Sequence, residues 1–331
     1  MHFCDGWYKD NHGGLWRRLV LTWVRRPDIS RRATMPSEST ETDFLRWSIG
    51  AVKITRVLEM PPVSADPARF IQAGRQEILD RRDWLCPHFA DEDGNITLHF
   101  QAFVVESGGV RIMVDPCIGN DKQRSVASLS MLDGPFLERL AAAGYPRENI
   151  DYVLCTHLHA DHCGWNTMLV DGRWVPTFPN AQYLFAKAEY EYLRGDERGD
   201  APAILADSVK PVIDAGLATF VEPDHVIVEE VRLEPAPGHT PGHCFLVIAS
   251  EGQEAVITGD ALHHPVQVAL PQIADNFCWD KELAEATRRR LLKWVSDRGA
   301  LLLGSHFSGP VGVFLTPDGD AWKAESLTAG R

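Results

Sequence analysis

Hydrophobic residues in this chain recur with two periods, one typical of β-strands and one typical of α-helices. Alternating or short apolar runs rich in β-branched residues predict strands. These strands are residues 49–58, 98–106, 110–114, 150–154, 174–178, 182–185, 226–228, 231–234, 244–248, 255–257 and 300–303. Apolar positions three or four residues apart predict helices. These helices are residues 68–82, 136–143, 186–193, 203–215 and 282–294.

Strands precede helices in both halves of the chain, which indicates an α+β protein. A sheet buries one face against another layer, so this order predicts two mixed sheets packed together inside outer helices. We assign residues 49–331 to a single domain with this architecture, and residues 1–48 to an N-terminal extension.

The start of the chain differs from the remainder in charge. Residues 1–34 hold seven Lys or Arg and three Asp, a formal charge of +4, which leaves −17 for the rest. We interpret this segment as a basic arm outside the core. It could pack against a second subunit of a homodimer or be disordered, although its three tryptophans argue against complete disorder. Alternatively, translation could begin at Met35.

Composition narrows the partners that the protein can have. The 331 residues are 44% hydrophobic and 24% charged, as in ordinary globular proteins, and the net charge of −13 argues against binding to nucleic acid or anionic membranes. The apolar run 19–24 is shorter than the ~7–15 residues of a signal-peptide core. Seven widely spaced cysteines do not indicate a disulfide framework. We therefore predict a small-molecule substrate and a cytoplasmic location.

The segment Thr156–His162 (THLHADH) concentrates candidate metal ligands directly after a predicted strand. Imidazole nitrogen and carboxylate oxygen are ligands that suit zinc and related divalent ions. A spacing of two residues at a strand end aims His157 and His159 in the same direction, while Asp161 and His162 can face a second ion. The alternative is a solvated loop with a helix-capping Asp.

Three later segments favour the metal interpretation. Each follows a predicted strand and combines a glycine-containing turn with a His or Asp that could bind a metal. They are Gly238–His243, Thr258–Asp260 and Gly304–His306. Four such segments in one chain are consistent with one shared metal centre.

With these segments the chain resembles the metallo-β-lactamase superfamily, whose signature is HxHxDH followed by a later His, Asp and His. The resemblance covers residues 50–310 and implies an αβ/βα four-layer sandwich. All seven ligand positions are present. The resemblance implies one metal on His157, His159 and His239, a second on Asp161, His162 and His306, and Asp260 bridging both.

Two divalent ions, expected to be zinc, can share a water and lower its pKa toward neutrality, which produces a hydroxide that bridges them. The expected activity is therefore hydrolysis, with Asp161 and Asp260 as catalytic candidates. The runs Gly238–His243 (GHTPGH) and Gly259–Gln267 (GDALHHPVQ) are most similar to the methyl parathion hydrolase and quorum-quenching lactonase branch. This similarity implies an ester, lactone or organophosphate substrate.

Two other chemistries remain open within the same superfamily, a mononuclear iron dioxygenase and a glyoxalase-type thioesterase. A ligand-binding protein that has lost catalysis is a third possibility, and the complete ligand set argues against it.

Residues around the ligands form a second group of candidates. In the superfamily an Asp at the position of Asp115 supports the metal site, but Asp-Pro-Cys replaces the usual Asp-Thr-Gly here, so Asp115 could simply end its strand. His243 and His264 are candidates for supporting the ligands or lining the pocket, and His263 is an equal candidate to His264, with surface histidines as the alternative for both. The candidate aromatic walls of a substrate pocket, each of which could instead fill the core, are Trp165, Phe277, Trp279 and Phe307.

Overall fold

The computed structural model of this chain describes residues 44–326. The strands in this range are β1 (Phe44–Ile49), β2 (Val52–Leu58), β3 (Val63–Ala65), β4 (Ile96–Leu98), β5 (Gln101–Ser107), β6 (Val110–Val114), β7 (Tyr152–Leu154), β8 (Thr167–Val170), β9 (Arg173–Pro176), β10 (Gln182–Ala186), β11 (Ala218–Val221), β12 (Val226–Val228), β13 (Val231–Pro235), β14 (Cys244–Ser250), β15 (Gln253–Ile257), β16 (Leu301–Leu303), β17 (Gly312–Asp318) and β18 (Ala321–Ser326).

The α-helices of the same range are mostly short. They are α1 (Pro67–Phe70), α2 (Arg75–Leu79), α3 (Arg82–Leu85), α4 (Phe136–Ala142), α5 (Ala160–Cys163), α6 (Lys187–Gly195), α7 (Ala201–Ile204), α8 (Lys210–Asp214), α9 (Val266–Ala269) and α10 (Lys281–Arg298). A π-helical turn, Leu205–Val209, joins α7 to α8. None of the helices in residues 44–326 combines the length and the apolar character needed to cross a bilayer.

Two seven-stranded sheets form the centre of the fold. The first has the order β1-β2-β5-β6-β7-β10-β11 and the second runs in sequence order from β12 to β18. Strands β6, β7, β10 and β11 pair in parallel, as do β15 and β16, and the other pairs are antiparallel. Two small two-stranded sheets, β3-β4 and the hairpin β8-β9, lie outside these sheets. Both large sheets are mixed, as the sequence predicts.

The side chains of each strand alternate between two hydrophobic layers. Phe103 and Leu154 of the first sheet point inward and share a buried cluster with Leu246 of the second sheet. Their neighbours Val104 and Val153 point outward and pack under α4, α6, α7 and α8. Helix α10 and the segment 67–90 cover the outer face of the second sheet. The predicted αβ/βα four-layer sandwich is confirmed.

Several predicted boundaries are wrong for local reasons. The segment 49–58 is not one strand, because Gly50 adopts φ +55° and turns the chain between β1 and β2. The predicted domain boundary between residues 48 and 49 consequently falls inside β1. The predicted helix 68–82 is divided into α1, α2 and α3, because Ile71 is extended and Gly74 starts a new helix. Residues 1–43 lie outside the described residues, and they include all of the predicted basic arm and most of the predicted extension.

The two sheets meet where the predicted ligand segments begin. Cys244 at the start of β14 donates its backbone N–H to the carbonyl of Thr156, which follows β7 (3.0 Å). Asp115 after β6 and Thr258 after β15 are each bonded to the last residue of the neighbouring strand. Because parallel strands end at the same edge of a sheet, the segments after β6, β7, β15 and β16 lie together at one edge of the sandwich.

A buried ionic cluster fixes the long loop after β6 near this edge. Arg124 donates two hydrogen bonds to Asp207 in the π-helical turn (2.7 and 2.9 Å). The Lys122 ammonium group donates to Thr167 (2.8 Å), lies 3.6 Å from the Asp207 carboxylate and sits over the Trp174 ring. Burial lowers the pKa of Lys122 to about 8, although Asp207 opposes this shift.

We expect a Lys122→Met variant to lose a pH dependence that the wild type has. Lys122 binds its proton less tightly in the folded chain, so between about pH 8 and 10.5 the unfolded chain holds more protons and stability rises with pH. This gain is about 3 kcal/mol. Urea unfolding of both proteins at pH 7.5 and 10.5 measures it, and the exposed Lys210→Met variant is the control. An equal rise in wild type and Lys122→Met would contradict this account.

Candidate metal centre

Four side chains from three segments converge on one point at the edge of the sandwich. They are His157, His159, His239 and Asp260. The Nδ1 atom of His159 lies 3.0 Å from His157 Nε2 and 2.9 Å from His239 Nε2. The Oδ2 atom of Asp260 lies 3.6 and 3.4 Å from the same two Nε2 atoms. Such separations are the edges of a tetrahedron around an ion with ligands at about 2.0–2.2 Å.

A second group of donors lies beside the first. It contains His162, His306 and Asp161, whose ligand atoms meet within a similar space. The Oδ1 atom of Asp260 lies 3.2 Å from the Nε2 atoms of both His162 and His306, which are themselves 3.3 Å apart. Asp260 therefore presents one oxygen to each group. This arrangement allows it to bridge two ions.

The chemistry of the donors fits metal ions and does not fit an internal hydrogen-bond network. The Nδ1 atom of His159 faces His157 Nε2 and His239 Nε2. Because this atom carries either one hydrogen or one lone pair, it can form a hydrogen bond with only one of these two nitrogens. Asp260 Oδ1 is buried without a hydrogen-bond donor. Buried lone pairs that converge in this way are stabilised by a cation between them. Nitrogen and carboxylate donors suit two divalent ions such as zinc.

The charge states follow from burial and from the facing groups. Burial lowers the pKa of His159 to about 3 and that of His157 well below its ordinary value. Burial alone would raise the pKa of Asp260, but the facing imidazoles hold it well below the ordinary range. Burial opposes protonation of His162 and His306, but Asp260 and Asp161 raise the pKa of both rings, so these two rings would release a proton when a metal binds. The side chains of His159 and Asp161 are the partly exposed members of the two groups, so the centre opens to solvent on their side.

Asp115 supports this centre from behind. Its Oδ1 accepts the backbone N–H of Thr156 (2.7 Å), and its Oδ2 accepts the Thr156 hydroxyl (2.9 Å) and lies 2.9 Å from His162 Nδ1. A ligand histidine is usually oriented by such a contact on its other nitrogen. Asp115 has φ +51°, which costs a non-glycine residue energy. The three contacts give a physical reason for that conformation.

Glu189 is a buried residue of the site that the sequence analysis missed. Its carboxylate accepts the backbone N–H groups of Leu158 (3.0 Å) and Gly242 (3.1 Å) and the Thr240 hydroxyl (2.7 Å). It thereby ties the segment of His157 and His159 to the segment of His239. Burial raises the pKa of Glu189, and these hydrogen bonds oppose the rise. A Cβ on Gly242 would lie 2.2 Å from the Glu189 nitrogen, so glycine is required there.

His243 lies behind the ligands. Its Nδ1 lies 3.0 Å from the Ala236 carbonyl, and its Nε2 accepts the backbone N–H of Asp260 (2.9 Å). Burial lowers the pKa of His243 to about 3, which keeps the ring neutral and able to accept. Gly259 has φ +50°, and a Cβ there would lie 2.5 Å from His243 Nε2. The hydrogen bond from the Asp260 backbone N–H to His243 therefore holds Asp260 in place.

Of the two adjacent histidines that follow Asp260, His263 faces the ligands and His264 does not. The prediction for His264 is wrong, because its ring is buried away from the ligands and its Nε2 contacts the Phe89 carbonyl (2.8 Å). His263 instead points into the centre, with Nε2 3.0 Å from Asp260 Oδ2 and its ring parallel to that of His306. Neighbouring side chains in a turn point in different directions, and the sequence alone does not show which of two consecutive histidines faces the ligands.

The four candidate pocket aromatics divide into two pairs. Phe307 is fully buried in a hydrophobic cluster against Phe89, so its prediction as a substrate wall is wrong. Trp165 is 3% exposed and donates its indole N–H to Glu59 (2.7 Å), and the cleft of about 310 Å³ that it borders contains none of the seven ligand candidates. Phe277 and Trp279 are each 51% exposed, and the Trp279 backbone N–H donates to the His239 carbonyl (2.8 Å).

Comparison with known families gives a result consistent with this geometry. Residues 101–320 match the model of the metallo-beta-lactamase superfamily. An N-acyl homoserine lactonase from Bacillus cereus is 30% identical over 168 residues, which are 50% of this chain and 60% of that protein. The N-acyl homoserine lactonase AttM of Agrobacterium fabrum (strain C58 / ATCC 33970) is 31% identical over 41% of this chain and 51% of its own length. These matches span about half to three fifths of the curated relatives.

Solved structures share the fold over most of the chain. AidC, a dizinc quorum-quenching lactonase, superposes with a TM-score of 0.72 at 19% identity and covers 88% of this chain and 99% of its own. The hydrolase AbOPH of the beta lactamase superfamily has a TM-score of 0.71 at 23% identity and covers 88% of this chain and 100% of its own.

We expect a Glu189→Ala variant to unfold more easily than the wild type. Two buried N–H groups would lose their acceptor, at a cost of about 3 kcal/mol. The separated ligand segments should also bind zinc more weakly. Chemical unfolding and zinc titration measure both effects, with Glu191→Ala as control, since Glu191 lies on the exposed face of α6 and pairs with Arg194. Equal stability of the two variants would contradict the role of Glu189.

Proposed function

The chain belongs to the metallo-beta-lactamase superfamily, and we propose that it is a dinuclear metal-dependent hydrolase that opens a small lactone or ester. The observation that carries this proposal is the position of Asp260, whose two carboxylate oxygens face two separate groups of donors. The lactonase names of the curated relatives support a lactone as the first substrate class to test.

We assign the first ion to the group of His157, His159 and His239, and the second to the group of Asp161, His162 and His306, with Asp260 shared. Zinc is the proposed metal, because sets of four imidazole and carboxylate donors suit it. The second group separates this proposal from a mononuclear iron dioxygenase, which would leave Asp161, His162 and His306 clustered without an ion.

Two bound divalent ions would supply Lewis acidity, which activates water and polarises the scissile carbonyl. The protein supplies the arrangement around them. Asp115, His243 and Glu189 fix the ligand segments from behind, so the donors are held before a substrate arrives. Asp161 is the partly exposed carboxylate of the centre, which places it on the side that a substrate reaches.

The exposed aromatic residues beside His239 suggest how a substrate is selected. Trp279 is bonded to the His239 backbone, and Phe277 packs edge-on against Phe70 (6.2 Å between ring centroids). Half-exposed aromatic rings near a polar centre bind apolar groups well. We therefore propose a substrate that joins a lactone or ester to an acyl or other apolar group.

A panel of substrates tests the reaction class. Zinc-loaded protein is assayed with acyl lactones, aryl esters, phosphotriesters, β-lactams and thioesters, and bound zinc is counted in the same sample. We expect two zinc ions per chain and the highest kcat/KM for lactones or esters. One iron per chain with oxygen consumption, or preference for thioesters, would contradict the proposal.

We expect His306→Ala to lose one of the two ions and at least about 100-fold of the hydrolytic activity, because polarisation by one of the ions is lost. Asp161→Asn should act in the same direction. His225→Ala, which changes a histidine outside the centre, should retain both ions and full activity. Full turnover by a His306→Ala protein that holds a single ion would refute the dinuclear mechanism.

We expect Trp279→Ala to raise KM about 10-fold for substrates with long acyl chains and to leave short-chain substrates nearly unchanged, because apolar contact area is lost. Bound zinc should stay at the wild-type level. Phe220→Ala removes another exposed aromatic ring, on β11, and serves as the control. An unchanged chain-length preference would argue against a substrate surface at Trp279.

A further inference from the structure

Asp275 is a fully buried carboxylate that none of the signature segments contains. It lies in the loop between α9 and α10. Its Oδ1 lies 3.3 Å from His239 Nδ1, and its Oδ2 lies 3.7 Å from His263 Nδ1. One acidic side chain therefore faces two imidazole rings from the side opposite the metal centre.

The far ends of these two rings meet at a common atom. His239 Nε2 and His263 Nε2 lie 3.4 and 3.0 Å from Asp260 Oδ2. Asp275 and Asp260 thus enclose both rings between two carboxylates. Both Nδ1 atoms are buried, and within residues 44–326 neither has a well-aligned hydrogen-bond partner, so the Asp275 carboxylate is the group that faces them.

Asp275 is itself held in a fixed position. Its Oδ1 accepts the backbone N–H of Phe277 (2.8 Å), and its Oδ2 accepts the thiol hydrogen of Cys278 (2.7 Å). The same loop is bonded back to the segment of His239, since the Trp279 N–H donates to the His239 carbonyl. A carboxylate with this support can orient a ring instead of following its motion.

We propose that Asp275 is a positioning residue that orients His239 and His263 together. It directs His239 Nε2 toward the first ion and holds the His263 ring against Asp260 and parallel to His306 (ring centroids 5.5 Å apart). One carboxylate thus fixes the orientation of His239, a ligand of the first ion, and of the His263 ring, which is stacked on His306 of the second group of donors. The inference rests on the proposed function only in that His239 is taken as a ligand.

The test is the zinc affinity of the apo protein, which does not depend on turnover. Asp275→Asn keeps the shape of the side chain and removes its charge. We expect the affinity for one zinc ion to fall 10- to 100-fold, as is typical when the residue behind a ligand is changed, while the other ion binds as in wild type. Competition with a chromogenic chelator resolves the two ions.

Three variants separate positioning from general disruption. Cys278→Ser contacts the same carboxylate but neither imidazole, and Asp224→Asn removes an exposed charge elsewhere. Both should bind two zinc ions with wild-type affinity. His263→Gln should also keep both ions and lower kcat, because its ring is positioned by Asp275 without serving as a ligand.

Several outcomes would overturn the inference. Asp275→Asn that folds and binds both ions with wild-type affinity would do so, and so would a third tightly bound ion in wild type that this variant loses. If Asp275→Asn fails to fold, ¹⁵N-histidine NMR of the wild type decides, since a His239 Nδ1 proton bonded to a buried carboxylate exchanges slowly with water. Fast exchange would refute the bond. Two zinc ions without lactone or ester turnover would instead refute the proposed function and leave this inference standing.

Discussion

The arrangement of this protein depends on lone pairs that are buried against one another at Asp260. Ring nitrogens of His157, His239, His162 and His306 face its two oxygens within 3.2–3.6 Å, and the centre is enclosed by the ends of both sheets. Without positive charge between them, these atoms would lose hydration and would not all find a hydrogen-bond donor. Two cations remove that conflict. The stability of the fold around this centre therefore depends on the charge that the ligands surround.

Buried side chains at the strand ends of the sandwich hold the ligand segments in fixed positions. Asp115, Glu189 and His243 each connect a ligand segment to another part of the fold. Each is buried and forms hydrogen bonds with backbone, threonine or ligand atoms. Glycine is required at Gly242 and Gly259, because a Cβ would collide with Glu189 or His243. The ligand segments are thus positioned by packing and by hydrogen bonds that do not involve the metal.

The sequence predicts those parts of the structure that follow from local patterns, such as hydrophobic periodicity and short motifs. The layer order follows from the hydrophobic periods, and the seven ligand candidates follow from one short motif and three glycine-containing turns. Supporting residues are harder to predict because their partners are distant: Glu189 is an ordinary acidic residue in the first turn of α6 until Leu158 and Gly242 approach it. Asp275 escapes prediction for the same reason, while Phe307 and His264 follow ligands closely in sequence but point into the core.

Two ions are expected to occupy one site with Asp260 between them, and anomalous X-ray diffraction of zinc-loaded crystals at the zinc edge locates them without any assay of turnover. We expect two peaks about 3.5–4 Å apart, one beside His157, His159 and His239 and the other beside His162 and His306. A single peak, or peaks away from Asp260, would contradict this expectation.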